Sequence, residues 1–309
     1  MYFPRGFDHR KALQLADLVG QAYTQLDAFK AGRPWALRGG YTLVAELRYP
    51  WRRPPGARSA SSLSAVSGAP ASRAPRTEFD RELQELVRSR TQREVGLPIG
   101  FIARAGSETF LAFRGTMTAG EWLRDLKVRL VAYPHGPLGS VHAGFSATYD
   151  LLRTAVIDSL APLPGGKLFV AGHSLGAALA TLAVPDIVLH TRFKTPTCYT
   201  YGSPRVGDRR FAAEFDRMMA GRSFRIANSS DLIVSMPLPV PFLGFFGGYF
   251  THVDTPVDFT AQNDSNERNH DLKTYLSALR QQRPRGPFAL LWRPVRTEHE
   301  APADKPDAP

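Results

Sequence analysis

The chain has 309 residues, 43% of them hydrophobic and 22% charged, a composition that allows one large globular core and excludes a disordered or fibrous class. The net charge of +11 is the one unusual figure, but residues 31–76 hold eight Arg and one acid and so supply +7 of it; with no nucleic-acid motif beside it, nucleic acid is excluded as a partner. A single cysteine, Cys198, excludes an intrachain disulfide, and no run of about 18 apolar residues predicts a transmembrane segment.

Leu15, Leu18, Val19, Ala22, Tyr23 and Leu26 recur at helical spacing, which predicts an amphipathic helix over residues 8–28. Residues 41–49 read as a strand. Composition then shifts: residues 51–77 are rich in Pro, Ser, Ala, Gly and Arg and bury too little surface to offset their ordering entropy, so a disordered insertion is expected. A charged helix is predicted over 78–92. Residues 99–104 and 109–113 form a predicted hairpin around Gly106-Ser107. A short helix near Trp122 and a strand over 128–133 follow. Phe145, Tyr149, Leu152, Val156 and Leu160 mark one face of a helix from Ala143.

Residues 167–171 read as a buried strand and 175–184 as a small-residue helix. Further strands are predicted over 197–201 and 224–227, with a helix marked by Phe211, Phe215, Met218 and Met219 between them. Strands alternating with helices imply βα units, a mostly parallel sheet and an α/β fold. The organisation expected is one domain over 1–282 and a disordered, Pro-rich tail over 283–309. The N-terminus has no signal-peptide apolar run, which with the lone cysteine leads us to expect a cytoplasmic protein.

Between the strand over 167–171 and the helix over 175–184 lies Gly172-His173-Ser174-Leu175-Gly176. A bare G-x-S-x-G pattern is weak. A Ser on a sharp strand-to-helix turn is a stronger signal, because that turn exposes Oγ and aims backbone N–H groups at developing negative charge. Large neighbours would not fit, hence Gly172 and Gly176.

A serine nucleophile needs a base, and the base needs an acid to fix its tautomer. On the order Ser, acid, His, Asp231 is the best acid, because it follows a strand end and the turn Asn228-Ser229-Ser230. Asp186 and Asp208 are less well placed. Asp254 and Asp258 are the fallback. His270 is the best base, read as opening a helix over 270–276 after a polar loop. His252, beside aromatics on a predicted strand, is its rival. Leu175 would supply one oxyanion N–H. Arg114-Gly115-Thr116, at an earlier strand end, would supply the other from Thr116, with its hydroxyl as a third donor. No His/Cys/Asp cluster has metal-ligand spacing, so no metal or cofactor is implied.

These segments together resemble the class 3 lipases. Phe113-Arg114-Gly115-Thr116 with Trp122-Leu123-Arg124-Asp125-Leu126 looks like that family's oxyanion strand and lid start. Val141-His142-Ala143-Gly144-Phe145 resembles its V-H-x-G-F segment. Gly172 to Gly176 is similar to its G-H-S-L-G elbow, and Tyr201 to Asp208 to its Y-G-x-P-R-V-G-[ND] segment. Residues 228–237 fit its N-x-x-D-x-V-x-x-x-P pattern, and His270 with Tyr275 fits its late histidine. The likeness runs from about residue 100 to 279. It departs around His252, where Val253 and Asp254 replace the family's usual residues, and in lacking the leader and disulfides of secreted fungal members.

The resemblance implies an α/β-hydrolase fold and a serine ester hydrolase acting on lipid esters, with Ser174, Asp231 and His270 as triad. Phospholipase, short-chain or feruloyl-type esterase, acyltransferase and non-catalytic lipid binder are the alternatives. The segment carrying Met117, Trp122 and Leu123 is either a lid or a permanently packed helix. The apolar stretch with Phe242, Phe245 and Phe246 follows the acid loop and reads as acyl-chain wall or interfacial surface, against a buried core loop. The expected partners are a lipid ester substrate and, peripherally, a lipid interface.

Overall fold

The computed structural model describes residues 1–50, 96–116, 129–237 and 249–282. The predicted insertion at 51–77, the helix over 78–92, the segment read as lid or packed helix with Met117, Trp122 and Leu123, the Phe242, Phe245 and Phe246 stretch, and the tail over 283–309 lie outside the described residues.

The described strands are β1 Thr42–Tyr49, β2 Leu97–Ala105, β3 Glu108–Phe113, β4 Leu130–Ala132, β5 Ser140–His142, β6 Lys167–His173, β7 Thr197–Tyr201, β8 Gly207–Asp208, β9 Ser223–Asn228, β10 Phe250–Thr251 and β11 Thr255–Phe259. The helices are α1 His9–Lys30, α2 Ala143–Leu160, α3 Leu175–His190, α4 Arg209–Met219, α5 Asn266–His270 and α6 Leu272–Gln281. Seven strands form the main sheet, in the order β1-β2-β3-β6-β7-β9-β11. The first two pairings are antiparallel and the other four parallel. Antiparallel β10-β8-β5-β4 make a small second sheet.

Side chains alternate across the main sheet, as a period of two requires. Leu111 and Phe113 of β3, Leu168 and Val170 of β6 and Cys198 of β7 face one core, where Phe145, Tyr149, Leu152 and Val156 of α2 and most of α3 pack. Phe110, Ala112, Ala171, Tyr199 and Tyr201 face the other, with Leu15, Leu18, Val19 and Ala22 of α1 and Tyr275 and Leu279 of α6. The result is helix, sheet, helix in three layers, an α/β-hydrolase arrangement with a mostly parallel centre. Asp8 caps α1, and Tyr201 Oη donates to the α1 carbonyl of Ala12 at 2.5 Å, so the first turn of α1 is tied to the sheet.

Three elements differ from their sequence reading. The elbow helix α3 runs to His190, past Pro185. Proline removes one helical hydrogen bond, but every residue from Leu175 to Ile187 is buried, and packing holds the helix through the break. The strand β11 has no counterpart in the sequence reading; at the sheet edge its Pro256 costs no ladder bond inside the sheet. His270 does not open a helix. It closes the short α5, and Asp271 then caps α6. No described helix is long and apolar enough to cross a membrane.

Candidate active site

Parallel strands β3, β6, β7 and β9 end at one edge of the sheet, and each hands a functional segment to it. At the end of β6, Ser174 adopts φ 59° and ψ −126°, a left-handed backbone that a non-glycine residue takes only under constraint. Its amide donates to the Tyr201 carbonyl at 3.0 Å. A Cβ on Gly172 would sit 2.1 Å from the Gly176 carbonyl oxygen, and one on Gly176 would sit 2.4 Å from the Arg114 oxygen. Both glycines are therefore steric necessities of the turn, and the second lets the elbow lie on the end of β3.

That end is Arg114-Gly115-Thr116. Arg114 is fully buried. Its guanidinium donates from Nε to the Pro98 carbonyl (2.7 Å) and from Nη1 to the Gly115 carbonyl (2.6 Å). A trans peptide points its C=O and N–H in opposite directions. Holding the Gly115 oxygen therefore aims the Thr116 N–H away from Arg114. A Cβ on Gly115 would lie 2.7 Å from Ser174 Cβ, so the loop touches the nucleophile's own side chain. Leu175, the other predicted donor, is the first residue of α3, where helix N–H groups have no intrahelical acceptor.

Asp231 follows β9 and is buried. Its Oδ1 accepts from the Ile233 amide at 2.8 Å. Its Oδ2 accepts from His270 Nδ1 at 2.6 Å and from Tyr275 Oη at 2.5 Å. A carboxylate at Nδ1 fixes the proton there and leaves Nε2 as the lone-pair nitrogen. His270 Nε2 is buried and has no hydrogen-bond partner among the described residues. The His270 Cε1 lies 3.0 Å from the position of a Gly202 Cβ, next to the Tyr201 that holds Ser174. The ring is thus beside the elbow. Tyr275 is raised well above its ordinary pKa by burial and then by Asp231, so it remains a donor to that carboxylate.

Two asparagines bring the Asp231 and His270 loops together; the sequence reading named Asn228 only as a turn and pattern residue, and Asn269 not at all. Asn228 Nδ2 donates to the carbonyls of Ala261 (2.9 Å) and Asn269 (3.0 Å), and its Oδ1 accepts from the Ala261 amide (2.9 Å). Asn269 Nδ2 donates to the Ser230 carbonyl at 3.0 Å. The signal available was an amide side chain at the end of β9 and another beside the base in α5, where a buried amide can satisfy several backbone groups at once.

The rivals lie elsewhere. Asp254 precedes β11, and Thr255 pairs with Phe224 near the start of β9, so Asp254 sits at the opposite end of the parallel strands. Asp258 is exposed. His252 Nε2 donates to the Val234 carbonyl at 2.7 Å, and burial, with Arg225 and Arg205 nearby, lowers its pKa to about 3. It is a neutral strut behind the acid loop. Arg205 grips the same loop, with Nη1 donating to the Ser235 and Pro237 carbonyls. Asp186 is buried in α3, bound by Tyr149 and Arg153. Asp208 caps α4.

An elbow serine, a facing loop with aimed amides and an Asp–His pair at one sheet edge can perform acyl transfer. Parts of this chain are similar in sequence to known proteins. Residues 110–240 match the family model described as Lipase (class 3). The chain is 36% identical over 160 residues to Phospholipase A(1) DAD1, chloroplastic, of Arabidopsis thaliana, covering 44% of this chain and 35% of that one. It is 31% identical over 185 residues to the secreted mono- and diacylglycerol lipase A of Penicillium cyclopium, covering 56% of each. It is 33% identical over 146 residues to the lipase of Rhizomucor miehei, covering 44% of this chain and 40% of that one. Among solved structures, a mutant form of the Penicillium cyclopium enzyme aligns at 29% identity and a TM-score of 0.46, over 53% of this chain and 60% of that one. The chain spans from about a third to just over half of the length of these curated relatives. Over residues 110–240, then, the chain is similar to the class 3 lipases.

Proposed function

We propose that the chain is a serine carboxylic-ester hydrolase of lipid esters. The observation that carries this is the His270 ring, held at Nδ1 by buried Asp231, with its Nε2 lone pair beside the Ser174 elbow and without a partner among the described residues. In this reading Ser174 Oγ attacks the ester carbonyl and His270 Nε2 takes its proton. The amides of Thr116 and Leu175 receive the negative charge of the tetrahedral intermediate; one such donor contributes about 2.7–4 kcal/mol to the transition state. The intermediate collapses to an acyl-Ser174, and His270 passes the proton to the leaving alkoxide. Water then repeats the sequence, with His270 as base, and releases the fatty acid. Asp231 stabilises the imidazolium at each step.

A second reading, phospholipase A1, uses the same residues and is favoured by the 36% identity to the Arabidopsis protein of that name. Hydrolysis of acylglycerols and diacyl phosphatidylcholine, in a chain-length series below and above substrate solubility, separates them. We expect turnover of long-chain esters that rises at the interface and is abolished in Ser174→Ala. Short-chain preference with no interfacial rise would make the chain an esterase. A preference for the phosphatidyl substrate would favour the second reading. We also propose that the segments containing Met117, Trp122 and Leu123 and Phe242, Phe245 and Phe246 contact the acyl chain or the lipid surface.

A further inference from the structure

The triad leaves one pair of polar side chains at the elbow unused, buried His173 and half-buried Tyr23. His173, the residue before the nucleophile, is buried, and its ring lies 4.8 Å from that of His270. His173 Nε2 is 2.8 Å from the His270 carbonyl oxygen, and its Nδ1 is 2.7 Å from Tyr23 Oη. Tyr23 Oη is also 3.0 Å from the Gly115 amide. Tyr23 belongs to α1, 92 residues before the oxyanion loop and 150 before His173.

The protons in this chain can be assigned without ambiguity. A carbonyl oxygen only accepts, so His173 Nε2 carries the proton and donates it to His270. His173 Nδ1 is then the acceptor, and the Tyr23 hydroxyl donates to it. The lone pairs of Tyr23 Oη accept the Gly115 N–H. Burial, and then the His270 ring, hold the His173 pKa well below its ordinary value, so a second proton does not disturb the arrangement. The chain is continuous from the oxyanion loop, through α1 and the elbow, to the backbone of the base. A Cβ on Gly115 would lie 2.9 Å from Tyr23 Oη and 2.7 Å from Ser174 Cβ, so Tyr23 meets the loop at the point where the loop meets the nucleophile.

We propose that Tyr23 is a positioning residue for the reaction, setting the oxyanion loop and the His270 backbone in register through His173. Arg114 holds the carbonyl side of Gly115, and Tyr23 holds its amide side. Between them the Thr116 N–H has one direction. His270 is likewise held twice, at the ring by Asp231 and at the carbonyl by His173. A displacement of about 1 Å in such a constellation can cost about 100-fold in rate. Tyr23 forms no bond with substrate in this scheme, so its loss falls on kcat rather than on ground-state binding.

The inference rests on the triad reading and is tested separately from it. The substrate is soluble p-nitrophenyl butyrate, and kcat is expressed per site titrated with a fluorophosphonate, so unfolded protein is not counted. Tyr23→Phe is expected to lower kcat per titrated site at least fivefold while KM stays within twofold. His173→Gln keeps an amide N–H for the His270 carbonyl and is expected to retain more activity than His173→Leu. A smaller fall in Tyr23→Phe, or a KM that rises as much as kcat falls, overturns the proposal. Should Tyr23→Phe yield no titratable sites, the His173 pair decides. Rescue by Gln over Leu upholds the proposal, and equal activity of the two overturns it. Persistent turnover in Ser174→Ala would instead overturn the triad reading itself.

Discussion

Two buried aspartate carboxyls follow Ser174 near the late strands, and their surroundings give them opposite characters. Asp231 accepts three hydrogen bonds, from Ile233, His270 and Tyr275. Asp254 Oδ2 accepts one long bond from Thr200 at 3.5 Å and its Oδ1 none among the described residues, and burial is the largest cause raising the Asp254 pKa to about 7. Asp231→Asn is expected to lower kcat by about 10³–10⁴-fold, since an amide no longer fixes the His270 tautomer or stabilises its charge. Asp254→Asn is expected to leave kcat within a few-fold. Near-normal turnover in the first and collapse in the second would reverse the assignment. Asp254 has a different consequence, for stability. Its unfolded pKa is the ordinary 3.8, so between about pH 4 and pH 7 the folded chain keeps a proton that the unfolded chain has released. Stability therefore falls as pH rises through that window and levels above it. Asp254→Asn removes the titration. Relative to wild type its unfolding free energy should gain on the order of 3 kcal/mol from pH 4 to pH 7, measured by denaturant melts. A flat difference would show that Asp254 is ionised in the fold.

At the scale of elements, the elbow works because two glycines let three segments share one point. Gly176→Ala would drive its Cβ to 2.4 Å from the Arg114 carbonyl oxygen and 2.6 Å from that of Phe113, both backbone atoms that cannot step aside. It should cost about 1–3 kcal/mol in stability and displace the oxyanion loop, visible as a lower melting point and slower phosphonate labelling together. Preserved labelling would mean that the loop is not seated on the elbow. This motif was legible from sequence because all its signals lie within a few residues. The setting of His270 was not. The His270-to-Leu276 stretch reads as one helix, whereas the structure breaks it at Asp271, which caps α6 while Ser265 caps α5. The break follows from Asn228 and Asn269 pulling the two loops together, and local propensity carries no trace of a contact 41 residues away.

The whole molecule explains which parts of the site could be read in advance. A parallel sheet delivers every strand end to one edge, so strand order places the Arg114-Gly115-Thr116 loop, Ser174 and Asp231 together as soon as the strands are recognised. The helix α1 was recognised from its apolar spacing, yet its part in the site was invisible, because Tyr23 reads as one more apolar-face residue until the fold brings it to Gly115 and His173. The antiparallel strands β4, β5, β8 and β10 were too short for periodicity to define as a sheet. The central claim is that this edge forms one reacting centre on Ser174. Its most direct test is intact-protein and peptide mass spectrometry after reaction with a long-chain fluorophosphonate. The account predicts one adduct per chain, on Ser174, formed far more slowly in His270→Ala and absent in Ser174→Ala together with lipid-ester hydrolysis. An adduct on another residue, or hydrolysis that survives in Ser174→Ala, would contradict it.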